Sequence, residues 1–150
     1  MKSEKIQSYL AVFLAIFAVV ISIWQGYEQR RHNRLSVKPI LTFDGITSNN
    51  RRMIRLSNDG LGPAIIKRFR IIEDGKIYDA ADGNPWNKLS FFSSLNYSEM
   101  YYFDDGATIK PEDTYHLLSW EIDTTHLLGI ELWIEYESIY EERFELRDDF

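Results

Sequence analysis

Along this chain the hydrophobic pattern changes once. From Tyr9 to Trp24 (YLAVFLAIFAVVISIW) no residue is charged, and Ile6, Gln7 and Ser8 extend the uncharged stretch to Ile6–Trp24. At a rise of about 1.5 Å per residue, a helix of that length spans about 28 Å, close to the hydrocarbon core of a bilayer. Apolar residues fall all round it, whereas a buried core helix shows a polar side. A cleaved signal peptide would need a shorter apolar region and a small-x-small site, but Trp24-Gln25-Gly26-Tyr27 closes the run. Tyr9 at one end, and Trp24 with Tyr27 at the other, suit the two membrane interfaces. The pattern predicts a single N-terminal transmembrane helix that continues as a neck over Gln25–Arg34.

Pro39 ends any helix, and beyond it the period is mostly two. Val37, Leu41 and Phe43 share a face of a first strand, 47–52 reads as a loop, and Met53–Ser57 as a second strand. Asn58-Asp59-Gly60-Leu61-Gly62-Pro63 is a strong turn cluster, in which Asn58 and the glycines are expected to supply positive φ and Pro63 to fix re-entry. Ala64–Ile72 follows as a strand with Ile65, Phe69 and Ile71 on one face, and Asp74-Gly75 turns it into Lys76–Asp79. Asn84-Pro85 marks the start of a short helix or 3₁₀ piece carrying Trp86, Leu89, Phe92 and Leu95. Strands are expected over Tyr97–Phe103, Thr114–Ile122 and Arg143–Arg147, the last burying Phe144 and Leu146. Between them Ile130, Leu132, Ile134 and Tyr136 alternate inward against Glu131, Trp133, Glu135 and Glu137. Seven or eight short strands punctuated by turns predict a mainly-β antiparallel sandwich of immunoglobulin-like type, with a small open barrel as the alternative. The chain thus divides into an anchor with its neck, 1–34, and a β domain, 35–150.

Three motifs follow the apolar run in order. They are Arg31-His32-Asn33-Arg34-Leu35-Ser36-Val37-Lys38-Pro39, Leu56-Ser57-Asn58-Asp59-Gly60-Leu61-Gly62-Pro63-Ala64 and Tyr136-Glu137-Ser138-Ile139-Tyr140. With the helix ahead of them, they make the chain resemble a group of small, uncharacterised bacterial single-span membrane proteins. That resemblance covers nearly the whole chain and implies a helix plus a C-terminal β-sandwich. It implies no activity, ligand or catalytic residue.

Charge adds an orientation. Lys2 and Lys5 precede the helix, whereas Arg30, Arg31, Arg34 and Lys38 follow it. The positive-inside rule places the C-terminal side in the cytoplasm, in a bacterial cell beneath the inner membrane, and the absence of cysteine fits a reducing compartment. Of the net charge of −6, residues 1–34 carry five Lys/Arg against two Asp/Glu (+3), leaving −9 for residues 35–150. An acidic domain argues against general nucleic-acid binding.

Signatures of chemistry are sparse. The chain has no cysteine nucleophile, and His32, His116 and His126 lack metal-ligand spacing. Gly60-Leu61-Gly62-Pro63 leads into a strand and not the helix N-terminus that a phosphate loop requires, and no Gly-x-Ser-x-Gly element is present. A non-enzymatic protein without metal or cofactor is expected. One basic constellation stands out in the acidic domain: Arg51, Arg52, Arg55, Lys67, Arg68 and Arg70, opposed locally only by Asp59. If its two strands pair as a hairpin, it forms a site for a phosphate-bearing ligand or anionic headgroups. The competing reading pairs these cations with the acidic segment 121–150, which holds ten Asp/Glu against two Lys/Arg. Tyr97, Tyr101, Tyr102, Trp120 and Trp133 read as packing residues and not as a binding surface. On the helix, Ser8, Ala11, Ala15, Ala18 and Ser22 recur at 3, 4, 3, 4 and form a seam that would let two helices approach closely.

These features support a membrane-anchored, non-enzymatic interaction module that presents its β domain to a protein partner. The alternative is an oligomeric membrane effector of the defence type, assembled through the seam and gated by an anionic ligand such as a nucleotide. A third possibility is an accessory subunit whose seam faces another membrane protein.

Overall fold

The computed structural model describes residues 2–121 and 129–150, with helix side chains from Ile6 onward. The chain divides into two compact units, Met1–Ser36 and Val37–Phe150.

The first unit is one continuous helix, α1 (Lys2–Leu35). Its most apolar window is long and apolar enough to cross a membrane, and none of that window is buried within the chain. By length and composition an apolar N-terminal helix of this kind fits a membrane span and equally a signal sequence. The last turn closes with the Ser36 N–H donating to the His32 carbonyl and the Ser36 hydroxyl to Asn33, both at 2.9 Å. Pro39 then prevents continuation.

Among the described residues the second unit contains nine strands: β1 (Leu41–Ser48), β2 (Arg51–Asn58), β3 (Ala64–Glu73), β4 (Lys76–Asp79), β5 (Tyr97–Met100), β6 (Thr108–Ile109), β7 (Thr114–Glu121), β8 (Ile130–Glu137) and β9 (Arg143–Asp149). They form two antiparallel sheets ordered β1-β2-β7-β5 and β4-β3-β8-β9, with β6 also paired to β3. In immunoglobulin lettering the first sheet is A-B-E-D, and β3-β8-β9 is C-F-G with β4 added beside C. The expected sandwich is therefore present, its strand order is that of the immunoglobulin type, and β6 is a short addition.

The core lies between the sheets. Leu41 and Phe43 of β1, Ile54 and Leu56 of β2, and Ile130, Leu132, Ile134 and Tyr136 of β8 are buried, as alternation predicts. Trp86, Leu89 and Phe92 are buried too, carried by 3₁₀ turns at Trp86–Lys88 and Phe92–Ser94 in place of an α-helix. Asn84 caps the first of these turns by accepting the Trp86 N–H at 3.0 Å, and the Trp86 indole N–H donates to the Tyr101 carbonyl at 2.8 Å.

Four expectations are corrected. Residues 47–52 are not an open loop: β1 and β2 meet through Asn49-Asn50, whose φ values of 49° and 63° make a two-residue hairpin turn. In β3 the inward residues are Ile66, Phe69 and Ile71, and not Ile65. A bulge between Ile66 and Arg68 absorbs one residue and shifts the alternation by one. The strand from Tyr97 stops at Met100, and Phe103 turns into the core, where it is buried beside Phe69. Asn58 is not at positive φ, and neither are Gly60 and Gly62. The glycines are required because a Cβ on Gly60 would come within 2.5 Å of the Lys38 carbonyl, and one on Gly62 would overlap the Val37 carbonyl. Ile122, the expected end of the 114–122 strand, lies outside the described residues.

These two motifs, 37–40 and 58–63, form a clasp where the chain enters the sandwich. Fully buried Asn58 is its hub. Its side-chain oxygen accepts the N–H groups of Ile40 (3.2 Å) and Gly60 (3.0 Å). Its amide donates to the carbonyls of Gly62 (2.8 Å) and Ile109 (3.1 Å). Asp59 N–H to Ile40 O (2.8 Å) and Leu61 N–H to Lys38 O (3.1 Å) complete the junction.

Candidate functional site

Three surfaces merit comparison as sites: the helix seam, the basic constellation and an opening at one end of the sandwich. On α1, Ser8, Ala11, Ala15, Ala18 and Ser22 are all exposed. The Ser22 hydroxyl donates to the Ala18 carbonyl at 2.8 Å, so its proton is used within the helix. What the seam offers at that end is small size rather than a free donor.

The basic constellation is divided. β2 pairs with β1 and β7 in one sheet, whereas β3 pairs with β4, β6 and β8 in the other, so the hairpin that would gather the cations does not form. Four of the six have carboxylate partners: Arg51 with Glu121 (3.7 Å), Arg55 with Asp44 (2.7 Å), Lys67 with Glu137 (2.8 Å), and Arg70 with Asp79 (2.8 Å) and Glu135 (3.0 Å). Three of those carboxylates lie in the acidic segment 121–150, and Asp44 and Asp79 are supplied by the neighbouring β1 and β4. The Glu137 hydrogen bond raises the Lys67 ammonium above its ordinary value. Burial alone would raise the Asp79 carboxyl, but hydrogen bonds from Arg70 and the Ala81 N–H, with the charges of Arg70 and Arg68, hold it below the ordinary value. Arg52 and Arg68 are left without such a partner among the described residues.

On the outer face of the second sheet, one row of the register runs Asp79, Arg70, Trp133, Arg147 across β4-β3-β8-β9. The Trp133 ring lies between two guanidiniums, with Arg70 4.2 Å and Arg147 3.9 Å from its centroid. Arg147 also reaches Glu131 and Glu145. This row is a closed packing arrangement in which every charge is matched. The remaining aromatics pack similarly: Tyr97 stacks on Phe92 at 4.8 Å, Tyr101 on Tyr115 at 5.3 Å, Tyr102 lies half-buried against the core, and Trp120 is buried.

The third surface is an opening of about 310 Å³ between the sheets at the β1 and β9 edges. Its lining includes Gly45 and Thr47 of β1, Arg52 of β2, Trp120 of β7, Asp148 of β9 and Phe150. The register explains its polarity. Thr47 lies opposite Arg52, Arg52 opposite Trp120, and Asp148 opposite inward-facing Leu132, so Thr47, Arg52 and Asp148 occupy positions that continue the core face. Gly45 contributes no side chain there, and a Cβ on it would meet only the Phe150 ring, at 3.6 Å. Sequence reading singled out Arg52 for another reason and missed Gly45, Thr47 and Asp148. The signal was present: Leu41-x-Phe43-x-Gly45-x-Thr47 and Phe144-x-Leu146-x-Asp148 both change from apolar to polar at one end of an inward stripe.

Among the described residues no three of His, Asp and Glu gather into a group that could hold a metal ion; His116 instead faces Glu99 at 3.2 Å, and His126 lies outside them. A scan of the chain against models of protein families, and a search of curated proteins, found no match.

Proposed function

We propose that this protein is a membrane-anchored, non-enzymatic binding module in which α1 spans a bacterial inner membrane and the immunoglobulin-like sandwich is presented to the cytoplasm. One observation carries the reading: an apolar helix with no covering from its own chain is followed, one residue later, by a domain with a complete core of its own. Burial of such a helix in lipid removes its apolar surface from water, and the basic neck (Arg30, Arg31, Arg34) fits the inner face. A clasped entry segment suits a domain held at a fixed point of its own surface by a tether.

The competing reading, an oligomeric effector gated by an anionic or nucleotide ligand, requires the six cations as one site. Their division between two sheets and their existing partners favour the binding module, with an unidentified protein as partner and any helix-mediated homo-oligomer in a supporting role. Alkaline extraction of membranes, followed by the intact mass of the retained protein, tests the anchor. A retained chain with its first 24 residues supports it, and a released or shortened chain contradicts it. Exchange of Ile6–Trp24 for an unrelated spanning helix separates the two functions, since a display module keeps its partner and an assembled effector loses its activity.

A further inference from the structure

The opening between β1 and β9 places a cation and a carboxylate on opposite walls without letting them meet. Arg52 is half-buried on β2, and its side chain makes no hydrogen bond or ion pair within the described residues, unlike those of Arg51 and Arg55 on the same strand. Among the described residues the Asp148 carboxylate, on β9, accepts only the N–H of Asp149, at 3.0 Å. The buried Trp120 and the half-buried Phe150 also line the opening, and Gly45 adds no side chain to it. Because the Arg52 nitrogens are not fully buried, the guanidinium meets water in the opening, where an anion can replace that water and pair with it. A volume of about 310 Å³ is at the small end of ligand-sized cavities and suits a single compact molecule.

We propose that this cleft binds a small aromatic zwitterion of the amino-acid type. Its carboxylate is held by Arg52, with Thr47 beside it, its ammonium by Asp148, and its ring lies against Trp120 and Phe150. A guanidinium matches a carboxylate through two parallel N–H donors, and an ammonium needs the acceptor-only carboxylate that the other wall provides. Asp149 also lines the opening, and its register position opposite Glu131 puts it on the outer face, where it adds negative potential near the ammonium without closing the cleft. This site stands apart from the anchoring proposal, because every group in it belongs to the sandwich.

Calorimetric titration of the full chain in detergent, with three probes, tests the assignment. The probes are L-phenylalanine, 3-phenylpropionate (no ammonium) and phenethylamine (no carboxylate). L-Phenylalanine is expected to bind saturably and about tenfold or more tighter than either of the others, the loss expected for one charge-assisted contact. Arg52→Gln should remove its advantage over phenethylamine while phenethylamine binding persists. Asp148→Asn should remove its advantage over 3-phenylpropionate while that probe still binds. In each variant the retained probe shows that the cleft is intact. No saturable binding of L-phenylalanine at millimolar concentration, equal binding of all three probes, or indifference to both substitutions overturns the proposal.

Discussion

Gly62 lies so close to the carbonyl of Val37 that a side chain on it would overlap that group. Backbone touches backbone at this point, and no rotamer change can make room. Gly62→Ala should therefore destabilise the sandwich by more than about 2 kcal/mol, in the range of backbone-strain substitutions. Gly26→Ala is the contrast. Gly26 is within α1, a Cβ there meets nothing within 4 Å, and the substitution should raise helix stability by up to about 1 kcal/mol. Chemical denaturation followed by tryptophan fluorescence, with circular dichroism for the helix, distinguishes the two.

Asn58 should be as sensitive for a different reason. Asn58→Ala strands the groups it serves, the buried N–H of Gly60 and carbonyls of Gly62 and Ile109 and the part-buried N–H of Ile40. With each buried orphan costing about 1–3 kcal/mol, a loss on the order of 3 kcal/mol is expected even after water reaches some of them. Asn58→Asp should not rescue it, since a carboxylate cannot donate to the two carbonyls. The midpoint of urea unfolding measures both.

The outer-face row should tolerate change. Arg147→Ala removes one of the two guanidiniums on Trp133, together with exposed pairs to Glu131 and Glu145, and should cost no more than about 1 kcal/mol. Arg70→Ala should cost more, because Arg70 is the more buried of the two and its removal leaves Asp79 and Glu135 together without their cation. Thermal melts of the two variants give the order.

Acid should act partly through Asp79. Its carboxyl is held below the ordinary value in the folded state, so the stability it contributes is fully present above the unfolded pKa and is lost as pH falls through the folded one. Asp79→Asn should therefore lower stability at neutral pH and flatten the decline below the ordinary carboxylate range. A variant whose acid sensitivity matches that of the unsubstituted chain would remove Asp79 from the account.

The helix, its ending before Pro39 and the inward stripe Ile130-Leu132-Ile134-Tyr136 were legible because each follows one uninterrupted period. Ile65 was misplaced because a bulge is invisible to a period-two reading: the residue count stays the same while the face changes at Lys67. The Asn49-Asn50 hairpin escaped because the run of polar residues around it resembles a loop, although asparagine is the side chain that tolerates φ > 0 best. The clasp was legible as a turn motif, but its cause was not, since only the fold brings 37–40 against 58–63. The same holds for the basic constellation, where proximity in sequence hid a division between sheets. The cleft needed β1, β2 and β9 placed together, so no local window contains it.

The orientation of the sandwich is the most direct test of the central claim, and the absence of native cysteine makes it clean. Single cysteines at Ser3, ahead of the uncharged Ile6–Trp24 stretch, and at exposed Ser93, in the domain, can be challenged in intact cells with a membrane-impermeant maleimide. The account predicts that Ser3→Cys is labelled from outside and that Ser93→Cys is labelled only after the membrane is permeabilised. Labelling of Ser93→Cys in intact cells would place the domain on the outer side and contradict it.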